Sequence, residues 1–138
     1  MIQFERQATL LLIDDEAEIL NSLTTVLGAA GYTCHTANCP ADASKLARTI
    51  VPDLIISDIN LGGHSGLTLC EELKRAACLD GVPLMFLSGA QIPDIIRRSH
   101  AAGGTYYLRK PFDPNVLLEL VEKALWMPHL VGRKLATA

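Results

Sequence analysis

The chain has 138 residues, enough for one domain that buries a core without disulfide staples. Hydrophobic residues are 49% of it and charged residues 20%, which is a globular composition and excludes a disordered segment. A formal net charge of −3 gives no broad basic field, so nucleic-acid binding by this segment is not expected.

No apolar run approaches the roughly 18 residues that span a bilayer, so no membrane helix is expected. The first residues, "MIQFERQ", lack the pattern of a signal peptide. Cys34, Cys39, Cys70 and Cys78 form neither a CxxC pair nor a Cys/His metal spacing. Reduced thiols in a cytoplasmic protein are the expectation.

Apolar runs alternate with amphipathic stretches along the chain. "TLLLI" at 9–13 reads as a fully buried strand, because it lacks period-2 alternation. A first helix follows, with Ile19, Leu20, Leu23, Val26, Leu27 and Ala30 on one face and Gly31 placed to end it. "YTCHTA" at 32–37 is a short strand. Pro40 opens a second helix with Ala43, Leu46, Ala47 and Ile50 inward. "DLIIS" at 53–57 is the third strand. A glycine-rich loop leads to a third helix over 66–77, with Leu67, Cys70 and Leu73 inward.

"PLMFLS" at 83–88 is the fourth strand, its proline at the tolerated first position. In the fourth helix Ile92, Ile95, Ile96 and Ala102 face in, and Arg97 and Arg98 face out. "TYYL" at 105–108 is the fifth strand. Asp113-Pro114 pairs a cap with a first-turn proline and starts the fifth helix, which carries Leu117, Leu120, Val121 and Ala124 inward and is expected to stop at Pro128.

Five strands alternating with five helices make a (βα)5 three-layer α/β sandwich, a parallel sheet covered on both faces. Right-handed crossovers favour the doubly wound, flavodoxin-like order 2-1-3-4-5. In such sheets the site lies at the carboxyl ends of the strands, between strands 1 and 3. Strand 1 ends in Asp14 and Asp15, strand 3 in Asp58, strand 4 in Ser88 and strand 5 in Lys110.

Two carboxylates about 5 Å apart, at an effective dielectric of about 20, repel by about 3 kcal/mol. A cation among them removes that cost. Mg2+ suits a site with few carboxylates that keeps several waters and awaits a phosphate. Asp58 then becomes a candidate nucleophile that forms an acyl phosphate. Mg2+, Lys110 and the Ser88 hydroxyl could each neutralise one phosphoryl oxygen.

These pieces have a familiar order. "LLLIDDEAEIL", "PDLIISDINL", Gly66, "MFLSGA" and "YYLRKPF" follow one another over nearly the whole chain. In this the chain resembles the receiver (CheY-like) domain of two-component response regulators. The resemblance implies a receiver domain over 8–127 and a tail or linker remnant over 128–138. It implies that Asp58 is the phosphoacceptor, charged by a sensor histidine kinase or a histidine phosphotransfer protein. Mg2+ would be bound by the side chains of Asp15 and Asp58 and the backbone carbonyl of Asn60, with Asp14 acting through a metal-bound water. Ser88 would be the switch hydroxyl, Tyr107 the switch aromatic, and Lys110 the phosphate partner before a cis Lys110–Pro111 bond.

Phosphorylation would remodel the face made by helix 4, strand 5 and helix 5. Arg97, Arg98, Tyr106 and Arg109 are its exposed candidates to bind a partner or a second copy, giving a homodimer on phosphorylation. The output domain or downstream protein is not legible. The chain would be a switch that catalyses only its own phosphorylation and dephosphorylation.

Two positions depart from the family pattern. Gly62 stands where many receivers have proline, which suggests a looser loop. Ala90, two after Ser88, offers no polar group to orient water, which suggests slow loss of phosphate.

Plainer readings exist for single residues. Asp15 with Glu18 could be a capping box, and Tyr107 could be packing. His64 could be a solvated loop residue. Two alternatives for the whole chain are a phosphorylation-independent pseudo-receiver and a haloacid-dehalogenase-like phosphatase. The chain order, acid pair first and Asn60 two after Asp58, speaks against the phosphatase.

Overall fold

The computed structural model describes residues 7–89 and 104–137. The elements in order are β1 (Thr9–Ile13), α1 (Ala17–Ala29), β2 (Thr33–Ala37), α2 (Pro40–Thr49), β3 (Leu54–Asp58), β4 (Asn60–Leu61), β5 (His64–Ser65), α3 (Gly66–Ala76), β6 (Leu84–Ser88), β7 (Gly104–Arg109) and α4 (Pro114–Thr137). The main sheet is parallel with order β2-β1-β3-β6-β7. That is the expected 2-1-3-4-5 arrangement, since β6 and β7 are its fourth and fifth strands. The predicted fourth helix, including Arg97 and Arg98, and Ala90 lie outside the described residues. Among the described residues no helix is long and apolar enough to cross a membrane.

The strands sort their side chains by alternation. Leu11, Ile13, Ile55, Leu84 and Phe86 pack with α2 and α3 on one face. Leu10, Leu12, Leu54, Ile56, Met85 and Leu87 pack with α1 and α4 on the other. Each fully buried Leu or Ile contributes roughly 1.5–3 kcal/mol. Covering both faces is what permits the unbroken apolar runs of β1, β3 and β6. β2 is less buried because it is an edge strand. Gly31 ends α1 as expected, with φ +101 and its amide on the Gly28 carbonyl. Ala30, expected to face in, is instead exposed, because it is the C-cap residue beyond the last buried turn.

Three further expectations are corrected. α4 does not stop at Pro128 but continues to Thr137. A proline removes one helical hydrogen bond and crowds the preceding turn, at about 3 kcal/mol; here the helical path continues through it. Tyr106, expected to be exposed, is half-buried against the α1–α4 face of the sheet. Alternation along β7 sends its neighbour Tyr107 to the α2–α3 face.

The loop after Asp58 also differs from expectation. Asn60 pairs with Ser65 and Leu61 with His64, so β4 and β5 form a short antiparallel hairpin. Its two-residue turn is Gly62-Gly63, with φ +56 and +95. Two positive φ values in a two-residue loop are the signature of a type I′ turn. The loop is therefore tight where a looser one was expected. Proline, fixed near φ −65, cannot occupy Gly62. We expect Gly62→Pro to cost about 1–3 kcal/mol, read as a lower urea midpoint; an unchanged midpoint would contradict the hairpin.

Candidate functional site

β1 and β3 are neighbours, and Asp14 directly after β1 and Asp58 at the end of β3 stand at the same rim of the sheet. Asp14 is fully buried and Asp58 is 6% exposed. Each uses one carboxylate oxygen to close a local turn. Asp14 Oδ1 accepts from the Glu16 amide at 2.9 Å, and Asp58 Oδ1 accepts from the Asn60 amide at 3.2 Å. Both are Asx turns, with the acceptor two residues before the donor. The second oxygen of each acid is thereby aimed away from its own chain.

Both second oxygens meet Lys110, which follows β7. Its Nζ lies 2.9 Å from Asp14 Oδ2 and 3.1 Å from Asp58 Oδ2. The contact with Asp58 is a hydrogen bond. The contact with Asp14 is an ion pair, and Asp14 Oδ2 is the buried side-chain oxygen among the described residues that has no hydrogen-bond partner. A third acid, Glu16, places Oε1 2.9 Å from the same ammonium. Ligand atoms of Asp14, Glu16 and Asp58 all lie within 4.8 Å of one another.

Burial raises the Asp14 carboxyl above its usual range, and the Asp58 charge adds to this. Lys110 and the Glu16 amide oppose it without cancelling it. Burial acts to lower Lys110, but its contacts with Asp14, Glu16 and Asp58 outweigh burial and hold it above its ordinary value. The ammonium is therefore charged throughout the neutral range. Its stabilising share is full below its unfolded pKa and is lost only as pH rises through the higher folded value.

The other expected residues are placed as follows. Ser88 ends β6 and is 4% exposed, and its carbonyl accepts from the Lys110 amide at 2.8 Å. The Lys110–Pro111 peptide is cis. Tyr107 is half-buried, opposite Phe86 in the β6–β7 register. Asn60 is exposed, and its Oδ1 accepts from the Gly63 amide within the hairpin. Asp15 is exposed and lies outside the three-acid cluster. Its Oδ2 lies against Gly62, 3.2 Å from where a Cβ would stand. Asp15 and Glu18 form no capping box, since Glu16 is the N-cap residue of α1 and no side chain caps that helix. His64 is exposed on the hairpin. Cys70 is a buried core residue whose thiol burial pushes up to about 12.

Gly66 shows how tightly Asp58 is seated. A Cβ there would lie 1.9 Å from the Asp58 carbonyl oxygen and 3.1 Å from Ser57 Oγ. No side chain fits, so glycine at this position lets α3 begin directly against the acid-bearing strand.

The donor set fits a hard divalent cation. It consists of carboxylate oxygens within 4.8 Å of one another, the buried Asp14 Oδ2 among them already facing one positive charge, that of Lys110. In the metal-free protein the raised Asp14 pKa means that its charged form costs stability. That cost is absent below the unfolded pKa near 3.8 and grows as pH rises through the folded value. We expect Asp14→Asn to melt higher than the parent at pH 7 without Mg2+, and the gap to close as pH falls toward 4. A gap that widens on acidification would contradict this.

Comparison with known proteins agrees with this geometry. The family model described as response regulator receiver domain matches residues 10–122. The chain is 32% identical to the phosphate regulon transcriptional regulatory protein PhoB of Pseudomonas aeruginosa, over 85% of this chain and 51% of that protein. It is 34% identical to the aerobic respiration control protein ArcA of Escherichia coli, over 78% of this chain and 44% of that protein. It thus spans about half the length of these curated relatives. The chemotaxis protein CheY4 of Vibrio cholerae superposes with a TM-score of 0.83 at 28% identity, over 87% of this chain and all of that one. NtrX of Brucella abortus gives 0.85 at 26% identity, over 96% of this chain and 29% of that one. With a buried acid pair clasped by a lysine at the switch point of a 2-1-3-4-5 sheet, and a family match over most of its length, the chain belongs to the response regulator receiver domains of two-component systems.

Proposed function

We propose that this chain is a phosphoacceptor switch, and that Asp58 takes a phosphoryl group from a sensor histidine kinase or a histidine phosphotransfer protein. The observation that carries this reading is the seat of Asp58. One of its oxygens is held by the Asn60 amide, and the other faces Lys110 at the rim of the sheet. A carboxylate oxygen attacks phosphorus, the P–N bond to the donor imidazole breaks, and its electron pair stays on that nitrogen.

Asp14, Asp15 and Asp58, with the Asn60 carbonyl, are the groups that would hold Mg2+. Bound there, Mg2+ supplies positive charge to the phosphoryl oxygens. Lys110 would neutralise a further oxygen, and the Ser88 hydroxyl would donate to another. Asp14 stays beside the ammonium and fixes its direction.

The new charge on Asp58 would bias a two-state element that includes Ser88 and Tyr107. Tyr107 packs against the α2–α3 core beside β6, the strand that ends in Ser88. The readout would be a partner or a second copy at the β7–α4 face, where Arg109 is exposed. PhoB is by name a transcriptional regulatory protein, and the match covers about half of it and less than half of ArcA. We take an output region, in the same chain or a separate protein, to be the responder, and the setting to be cytoplasmic.

The direct test is mass spectrometry after incubation with acetyl phosphate and Mg2+. We expect the parent to gain one phosphoryl mass and Asp58→Asn to gain none. Equal labelling of both would remove Asp58 as acceptor. No labelling of either would return the chain to the pseudo-receiver reading.

A further inference from the structure

The ammonium of Lys110 has three N–H donors, and three carboxylates surround it. Two of those acids are fixed. Asp14 is fully buried and Asp58 nearly so, and each is tied by a backbone amide. The third, Glu16, is different. Its side chain is 61% exposed and reaches the ammonium from the solvent side at 2.9 Å.

Glu16 also departs from what its position favours. It is the N-cap residue of α1, yet no side-chain hydrogen bond caps that helix. Capping side chains normally satisfy the first free amides. Here the Glu16 side chain is committed instead to a lysine 94 positions away.

We propose that Glu16 is a placeholder that occupies the Lys110 donor later taken by a phosphoryl oxygen. It is a positioning residue, acting on the phosphoryl site only through Lys110. In the resting protein it closes the solvent side of the ammonium. When a phosphoryl group arrives on Asp58, Glu16 swings into water while Asp14 stays in place. Of the three acids it can leave most cheaply, because its charge is already largely hydrated. The contact thus works as a mild autoinhibitory lock. This rests on the phosphoacceptor reading above.

The contact can be separated from its charge. Glu16→Asp keeps the charge but is one methylene shorter and falls short of the ammonium. Glu16→Gln removes the charge at constant length. Glu18→Gln removes a charge from the first turn of the same helix, at a residue that makes no contact with Lys110. The probe is beryllofluoride with saturating Mg2+, its Kd measured by calorimetry on the full chain.

We expect Glu16→Asp and Glu16→Gln both to bind beryllofluoride about two- to five-fold tighter than the parent, and Glu18→Gln to match the parent. The gain should persist in high salt, where through-space effects between exposed charges are screened. If Glu16→Asp binds like the parent while Glu16→Gln alone gains, the effect is one of charge and the placeholder role is overturned. Equal or weaker binding by both overturns it as well. A parent that binds no beryllofluoride overturns the phosphoacceptor reading and the placeholder together. A parent that binds it normally isolates any failure to Glu16.

Discussion

One ammonium group makes this site tolerable. Lys110 lies within about hydrogen-bond distance of three acids, two of them buried. Two buried carboxylates this close would repel by about 3 kcal/mol at an effective dielectric near 20, a large share of a small domain's net stability. The lysine offsets that repulsion, yet Asp14 remains harder to ionise than a free aspartate, chiefly because it is buried and secondarily because of the Asp58 charge. The rest of the fold is arranged so that the lysine can reach. β1 and β3 deliver the acids side by side, and β7 delivers the lysine at the same end of the sheet.

The local backbone sets the aim. At the ends of both β1 and β3 an aspartate accepts from the amide two residues on. Each carboxylate is thus pinned through one oxygen and presents the other. Gly66 lets α3 start against the Asp58 carbonyl, where any side chain would collide. The Gly62-Gly63 turn folds the next residues into a hairpin that lies against Asp15. The candidate site sits where these local demands are strictest, which is where a fold is expected to give up stability.

Much of this was legible in the sequence. Unbroken apolar runs identified the buried strands, and alternation with amphipathic stretches gave the parallel sheet. A general rule about where such sheets bind then pointed to Asp14, Asp15, Asp58, Ser88 and Lys110 at the strand ends, of which Asp15 lies outside the acid cluster. The resemblance to receiver domains supplied what no pattern rule could, including the cis bond before Pro111. Glu16 was not legible. It stands at the exposed start of a helix, and its partner is 94 positions distant. The nearest signal was its place directly after two aspartates. A looser loop was expected because Gly62 replaces the family's proline, but two adjacent glycines at positive φ also encode a type I′ turn. Proline in α4 was read as a stop, but one lost hydrogen bond did not end that helix.

Lys110 stands where a divalent cation would among these acids, so the two should compete. Mg2+ affinity of Lys110→Met, measured by calorimetry against the parent, tests this most directly. With the ammonium gone, Mg2+ should bind several-fold tighter. A variant that binds Mg2+ no better than the parent would contradict the claim.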